Sequence, residues 1–135
     1  MKRRTGLALA VVVILSLAGC FFPEPPDLAV HVPSADYNVT ASDLLEEFQQ
    51  NSVAATLKYQ DKTIAVSGDV DGIGISAYTD EPYIYIGGFW SVWCYFPTSG
   101  TSVVASLEHG GFVTVVGIFD GFQFTQIRLS DCYLP

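Results

Sequence analysis

One predicted strand, Lys62–Gly72, constrains the fold of this chain more than any other stretch. Ile64, Val66 and Val70 alternate with small or polar residues, and this period of two predicts a strand with one buried face. Gly68 takes an inward position where a large apolar side chain is expected, and a glycine within a strand often marks a bulge or sharp bend. Because a bent strand can pair with different partners at its two ends, the stretch predicts a small sheet that closes into a barrel.

The first 20 residues have the composition of an export signal. Basic residues at positions 2–4 precede an unbroken apolar run, Leu7–Leu15, and small residues follow up to Cys20. The run is too short for a membrane span, which takes about 20 apolar residues. Leu17–Cys20 resembles a bacterial lipobox, which implies that Cys20 carries acyl chains such as palmitate and begins the mature protein. We predict a lipoprotein signal peptide over residues 1–19. The alternative is an ordinary secreted protein with Cys20 incidental.

Removal of this leader leaves a strongly acidic protein. Three basic side chains, Lys58, Lys62 and Arg128, remain against all 14 acidic ones, which gives a formal charge of −11. Such a surface repels phosphate backbones and anionic lipid headgroups. We therefore do not expect nucleic acid as a partner. The acyl chains on Cys20, rather than electrostatic attraction, would hold the protein at a membrane.

Residues 20–36 are predicted to form a tether between the lipid and a folded domain at residues 37–135. The tether contains four prolines, Pro23, Pro25, Pro26 and Pro33. Closely spaced prolines interrupt helices and sheet ladders and favour extended chain. Phe21 follows the cysteine, whereas an aspartate there retains lipoproteins of enteric bacteria at the inner membrane. By that rule we expect a cell-envelope protein on the outer membrane facing the periplasm, or on the outer face of the cytoplasmic membrane in a cell with one membrane.

The remaining chain has the pattern of one helix, three strands, a short helix and two strands. Thr40 and Asp43 fit a helix N-cap, and apolar residues at helical spacing predict a helix over residues 41–59. The predicted strands cover residues 62–72, 83–86, 91–96, 112–119 and 122–129, with a short helix at 102–107 and a hairpin turn at Asp120–Gly121. Five strands, an N-terminal helix and a short helix between strands 3 and 4 match a mainly β fold, the five-stranded OB-fold barrel.

Several distinct short motifs lie at defined points of these elements. They are Asn51, Ala55, Tyr59 and Lys62 ahead of Ile64–Gly68, then Cys94–Phe96, Leu107 with Gly110, Val113–Gly117 and Leu129–Cys132. Over about residues 41–134 these motifs resemble the bacterial tRNA-anticodon-like OB-fold family, whose members are often small envelope lipoproteins. The resemblance implies the fold but no activity, because the motifs mark fold positions and the family offers no catalytic residues to carry over.

Cys94 and Cys132 are candidates for a disulfide, since bridges form in the compartments that export reaches. In an OB-fold the third and fifth strands are neighbours, which would bring the two cysteines together. The alternative is a pair of buried free thiols. Cys132 is out of phase with Ile127 and Leu129, so a bridge requires a bulge between them.

Four aromatic residues form the candidate ligand face. Tyr83 and Tyr85 share one face of their strand, and Trp93 and Tyr95 share one face of the next. If these strands pair in register, the rings form a patch on the outside of the barrel, where OB-folds commonly bind ligands. A sugar, a peptide or another ring-bearing ligand would suit it. The alternative is cross-strand packing beneath the N-terminal helix.

We do not expect an enzyme, a metal site or a cofactor. The serines near Gly68 and Gly74 lack the G-x-S-x-G spacing. There is no CxxC motif, and His31 and His109 are isolated in the sequence. The sequence predicts a lipid-anchored OB-fold module that binds or scaffolds an envelope protein or a small ligand. The alternatives are a ligand-free structural lipoprotein and a binder of single-stranded nucleic acid or oligosaccharide.

Overall fold

The computed structural model describes residues 29–135, so the predicted signal peptide, Cys20 and the first part of the predicted tether lie outside the described residues. The described part contains six strands and three α-helices. In chain order they are β1 (Tyr37–Thr40), α1 (Ala41–Gln50), α2 (Ser52–Tyr59), β2 (Thr63–Ile75), β3 (Pro82–Ile86), β4 (Ser91–Tyr95), α3 (Thr101–Ala105), β5 (Phe112–Gln123) and β6 (Gln126–Tyr133).

Strands β2 to β6 form a closed barrel. Their order is β2-β3-β4-β6-β5, and β5 pairs back onto β2 to complete the circle. Strands β4 and β6 are parallel, whereas the other barrel pairs are antiparallel. With helices before the barrel and α3 between its third and fourth strands, the predicted OB-fold is confirmed.

Strand β2 changes partners at its middle. Residues 63–69 pair with β5, whereas the pairing with β3 runs from Val70 to Ile75 and shifts register between Val70 and Gly72. A Cβ on Gly68 would lie 2.7 Å from Cγ2 of Ile86 and 3.2 Å from Cβ of Ala41. Glycine at position 68 therefore lets β3 and the start of α1 approach β2 near the point where its partners change.

The chain before the helices also packs on β2. Strand β1, which the sequence did not predict, pairs in parallel with residues 64–67 of β2. Val32 is buried against Ala65 and Val116, and the backbone N–H of Val30 donates to Oγ of Ser67 at 3.2 Å. Residues 29–36, part of the predicted tether, thus lie on the outer face of the barrel.

The predicted helix over residues 41–59 is two helices that meet at Asn51. Asn51 has φ −160° and ψ 90°, and its side-chain oxygen accepts the backbone N–H of Ala54 at 3.0 Å. An asparagine side chain competes for backbone hydrogen bonds in this way, so it ends α1 and caps α2. The predicted cap of α1 is present, since Oγ1 of Thr40 accepts the Asp43 N–H at 3.1 Å.

Helix α1 closes one end of the barrel with its apolar face. Leu44, Leu45 and Phe48 are buried in the same core as Ile84 and Val92 of the barrel interior. The Phe48 ring contacts the rings of Tyr59, Phe119 and Phe122, with centroids 5.0–6.1 Å apart. This burial explains the helical spacing of apolar residues in the sequence.

The predicted hairpin turn at Asp120–Gly121 is wrong. Strand β5 continues to Gln123, and the turn to β6 falls at residues 124–125. The β5–β6 register shifts between Phe119 and Gly121, and Gly121 has φ +139°. Asp120–Gly121 therefore forms a β-bulge within β5. A bulge, like a hairpin turn, can require the positive φ that glycine adopts, so the two structures share this sequence signal.

A polar cluster joins the two N-terminal helices. The Tyr59 hydroxyl donates to Oε1 of Glu47 at 2.6 Å, and Nζ of Lys58 lies 2.9 Å from Oε2 of the same carboxylate. Burial, followed by this hydrogen bond to Glu47, raises the pKa of Tyr59 to about 12.

Stability should therefore fall at alkaline pH through Tyr59. Its neutral form is favoured in the folded protein, so the contribution is complete below the ordinary pKa of 10.0 and is lost as pH rises through about 12. In urea unfolding across this range, Tyr59→Phe should lower stability by about 1 kcal/mol at neutral pH and flatten the alkaline decline. Tyr78→Phe, which alters an exposed loop tyrosine, is the control. An equally steep decline in Tyr59→Phe would contradict the assignment.

We predict that Gly68→Val destabilises the barrel by about 1–3 kcal/mol, because the added side chain overlaps Ile86 and crowds Ala41. Gly88→Val makes the same chemical change where an added Cβ meets nothing within 4 Å, and should change stability by less than about 0.5 kcal/mol. Urea unfolding of the two variants compares them directly. Equal stabilities would mean that position 68 is not a tight crossing point.

Candidate binding surface

The four predicted aromatic residues come together on neighbouring strands. Tyr83 pairs with Tyr95 and Tyr85 with Trp93 in the antiparallel register of β3 and β4. Trp93 lies 4.9 Å from Tyr85 and 5.0 Å from Tyr83 between ring centroids, and the Tyr83 and Tyr95 rings are 5.6 Å apart. We call these four residues the aromatic surface.

The aromatic surface lies outside the barrel, away from α1. Ile84, Ile86, Val92 and Cys94 alternate with the four rings and are buried in the core that contains Leu44 of α1. Since successive side chains of a strand point to opposite faces, the rings face away from that core. They are half-buried rather than covered, so packing beneath the N-terminal helix does not explain them.

Two glycines of β2 allow the tyrosine rings to lean across the sheet. Gly72 is paired with Tyr85 and Gly74 with Tyr83. A Cβ on Gly74 would lie 2.5 Å from the Tyr83 hydroxyl oxygen, and one on Gly72 would overlap the Tyr85 ring. The rings occupy the space that side chains of β2 would fill, which packs them against backbone and fixes the surface beside Trp93.

A cleft with polar groups borders the aromatic surface. It has a volume of about 350 Å³ and is lined by Trp93, Tyr95, Asp120, Gly121, Phe122, Gln123, Gln126 and Arg128. The Arg128 guanidinium lies 4.2 Å from the Tyr95 ring centroid, and its Nε is 3.4 Å from Oδ2 of Asp120. Burial raises the pKa of Tyr95, and the charge of Arg128 partly offsets the rise.

Sequence reasoning missed Arg128 as part of this site. The parallel pairing of β4 with β6 sets Arg128 opposite Trp93. The expected adjacency of the third and fifth barrel strands was the available signal, but it does not fix which residues pair. The aromatic rings can stack against a flat ligand. The guanidinium of Arg128, the carboxylate of Asp120 and the side-chain amides of the cleft can hydrogen-bond to the edge of that ligand.

Cys94 and Cys132 are neighbours in the core, as the strand order predicted, and both stand as free buried thiols. Interaction with the Cys94 thiol, followed by burial, raises the pKa of Cys132. The bulge that a bridge requires is present, since the β5–β6 register shifts between Ser130 and Tyr133 and Asp131 has φ +51°. The bridge itself stays a prediction.

Residues 29–135 contain neither a metal-binding cluster nor a membrane-spanning helix. No three histidine, cysteine or acidic side chains in this range lie close enough together to hold a metal ion. None of the helices in the described part of the chain has the length and apolar composition of a membrane-spanning helix.

A family model and one of three similar solved structures support the fold. The model of the tRNA_anti-like family matches residues 1–133. A proposed nucleic acid-binding lipoprotein of Klebsiella pneumoniae is 20% identical, with a TM-score of 0.61 over 72% of this chain and 90% of that chain. An OBody bound to hen egg-white lysozyme is 18% identical, with a TM-score of 0.43 over 57% and 84% of the respective chains. Yeast Stn1 and Ten1 give 16% identity and a TM-score of 0.42 over 76% and 64%. No curated protein matches the sequence.

We predict that Cys94 and Cys132 are bridged in protein isolated from an oxidising compartment. Unreduced protein should then offer neither of these thiols to an alkylating reagent, as mass spectrometry can show. Closing the 94-to-132 loop should add about 4 kcal/mol to stability in the chain-entropy model, and reduction should remove it. Alkylation of both thiols in unreduced, denatured protein would disprove the bridge.

Proposed function

Because the chain belongs to the tRNA_anti-like family, we propose that it is a lipid-anchored OB-fold module that binds or scaffolds another component of the bacterial cell envelope. The anchor would be acyl chains on Cys20, within the lipobox-like sequence Leu17–Cys20. We propose no catalysis, since the aromatic surface and its cleft offer contacts for binding rather than a nucleophile paired with a base.

The observation that carries the proposal is the outward-facing aromatic surface beside Arg128. Half-buried rings on adjacent strands provide stacking area, and the bordering cleft provides hydrogen-bond donors and acceptors from Arg128, Gln126 and Asp120. A sugar ring suits both parts, because its C–H face can lie on an aromatic ring while its hydroxyls pair with the polar edge. A saccharide of the envelope is therefore our first candidate ligand.

Charge argues against nucleic acid. Within the described part of the chain, Arg128 is the one cation that lines the cleft beside the aromatic surface, and Asp120 partly neutralises it. Lys58 lies on α2 beside Glu47. Stacking alone binds single strands weakly when the phosphates meet few basic groups. The nucleic-acid binding proposed for the Klebsiella lipoprotein does not transfer, since 20% identity supports a common fold alone.

A ligand-free structural lipoprotein is the second candidate. The packing of Tyr83 and Tyr85 over Gly74 and Gly72 favours it, because these rings replace missing side chains of β2 whether or not a ligand binds. Trp93 and Tyr95 therefore discriminate better between binding and structure than the two tyrosines of β3.

Binding to a neutral saccharide should depend on Trp93. Calorimetric titration with chitotetraose, an uncharged oligomer of N-acetylglucosamine, should show binding that Trp93→Ala or Tyr95→Ala weakens about tenfold to a hundredfold, as expected for a lost stacking ring. Tyr78→Ala removes an exposed aromatic ring from the loop between β2 and β3, and should bind like the parent protein.

Three outcomes would contradict the saccharide assignment. They are no binding by the parent, equal binding by parent and Trp93→Ala, and tighter binding of a single-stranded oligonucleotide at low salt. Circular dichroism of the variants separates lost contacts from lost folding. An unchanged spectrum with weakened binding supports the surface as the site.

A further inference from the structure

Two phenylalanine side chains project into solvent from adjacent loops at one end of the barrel. Phe89 is 83% exposed in the loop between β3 and β4, and Phe124 is 85% exposed in the turn between β5 and β6. The Ser91 N–H donates to the Thr125 carbonyl oxygen at 3.1 Å, which holds the two loops side by side. Large apolar groups presented together commonly mark a contact with another body.

The backbone at Phe124 strengthens this observation. Phe124 has φ +59°, a conformation that glycine or asparagine adopts more readily than a bulky side chain. The ring is nonetheless almost fully exposed, so burial of Phe124 within the domain does not compensate for the strain. Beneath the loops, Trp90 stacks on Phe122 at 5.8 Å and supports both loops from the barrel side.

The chain approaches the barrel at this same end. Ala29, the first described residue, lines a cleft of about 970 Å³ together with Gly87, Gly88 and Trp90, which flank Phe89. The nine residues from Cys20 to Ala29 can span at most about 30 Å. An acyl anchor on Cys20 would therefore keep this end of the barrel near the bilayer.

We propose that Phe89 and Phe124 insert into the phospholipid bilayer that anchors Cys20. This inference rests on the lipid anchor of the proposed function and adds an orientation to it. Strand β3 runs from the loop that contains Tyr78 to the loop that contains Phe89, so these two loops lie at opposite ends of β3. Membrane contact at Phe89 directs the Tyr78 end away from the lipid and leaves the aromatic surface on the side of the barrel.

Charge near the loops sets the lipid type. Asp43, Glu46, Asp69 and Asp71 line the same cleft as Ala29 and Trp90. Acidic groups facing the headgroups repel anionic lipids, so the occupant is a zwitterionic phospholipid surface.

Tryptophan fluorescence provides the test, because the chain contains two tryptophans. Trp90 lies beside the loops proposed to insert, and Trp93 lies in the aromatic surface on the side of the barrel. Lipidated full-length mature protein is reconstituted in phosphatidylcholine vesicles whose acyl chains are brominated and quench on contact. Trp93→Phe leaves Trp90 as the reporter, and Trp90→Phe leaves Trp93. We expect Trp90 to lose a clearly larger fraction of its fluorescence than Trp93, and adding phosphatidylglycerol to the vesicles to reduce that loss.

Variants of the two loops define the cause. In the Trp93→Phe background, Phe89→Ser with Phe124→Asn should reduce the quenching of Trp90 to the level found for Trp93, since asparagine also suits the backbone at position 124. Tyr78→Ser, which removes an equally exposed ring at the other end of β3, should leave the quenching of Trp90 unchanged.

Flotation with the vesicles separates the two levels of the proposal. If the protein floats while Trp90 and Trp93 are quenched equally, the lipid anchor is present but Phe89 and Phe124 do not insert. The two side chains would then contact a protein partner instead of the bilayer. Failure to float overturns the lipid anchor and the insertion together. Equal flotation of the Cys20→Ser variant overturns the lipid anchor alone, and the quenching of Trp90 in that variant then decides whether Phe89 and Phe124 insert.

Discussion

The structure depends on one strand serving both parts of the barrel. Strand β2 uses one edge to pair with β5, and along its other edge it pairs first with β1 and then with β3. A strand this long stays paired at both ends only if it bends where the partners change. Gly68 lies next to this change of partners, and its missing side chain makes room there for Ile86 and Ala41. Closure of the barrel therefore depends on the backbone pairing of β2 and on the space left by the missing side chain at position 68.

The same strand also shapes the candidate binding surface. Beyond the bend, Gly72 and Gly74 leave the outer face of β2 bare, and the rings of Tyr85 and Tyr83 cover it. Those rings in turn pack beside Trp93, which stands opposite Arg128 across the parallel β4–β6 pair. The glycines of β2 and the tyrosines of β3 therefore pack as one unit. It holds a rigid stacking surface on the outside of a small domain whose interior is already filled.

Periodic patterns in the sequence were sufficient to predict the fold and the aromatic face. Alternation around Gly68, and the paired aromatic positions of β3 and β4, report backbone direction and burial, which local sequence encodes directly. The predictions from sequence are wrong at positions where a residue can adopt either of two local hydrogen-bonded conformations. Asn51 caps a second helix instead of continuing the first, and Asp120–Gly121 forms a bulge instead of a turn. Arg128 was missed because its place depends on the register between strands distant in sequence.

Native-state hydrogen exchange of β2 tests the central claim most directly. If one continuous bent strand closes the barrel, amide protons on both sides of Gly68 should exchange with the same free energy, equal to that of global unfolding. Protection of residues 63–69 together with early exchange of the amides in 70–74 would show that the two halves open separately. That result would contradict a barrel held together by this strand.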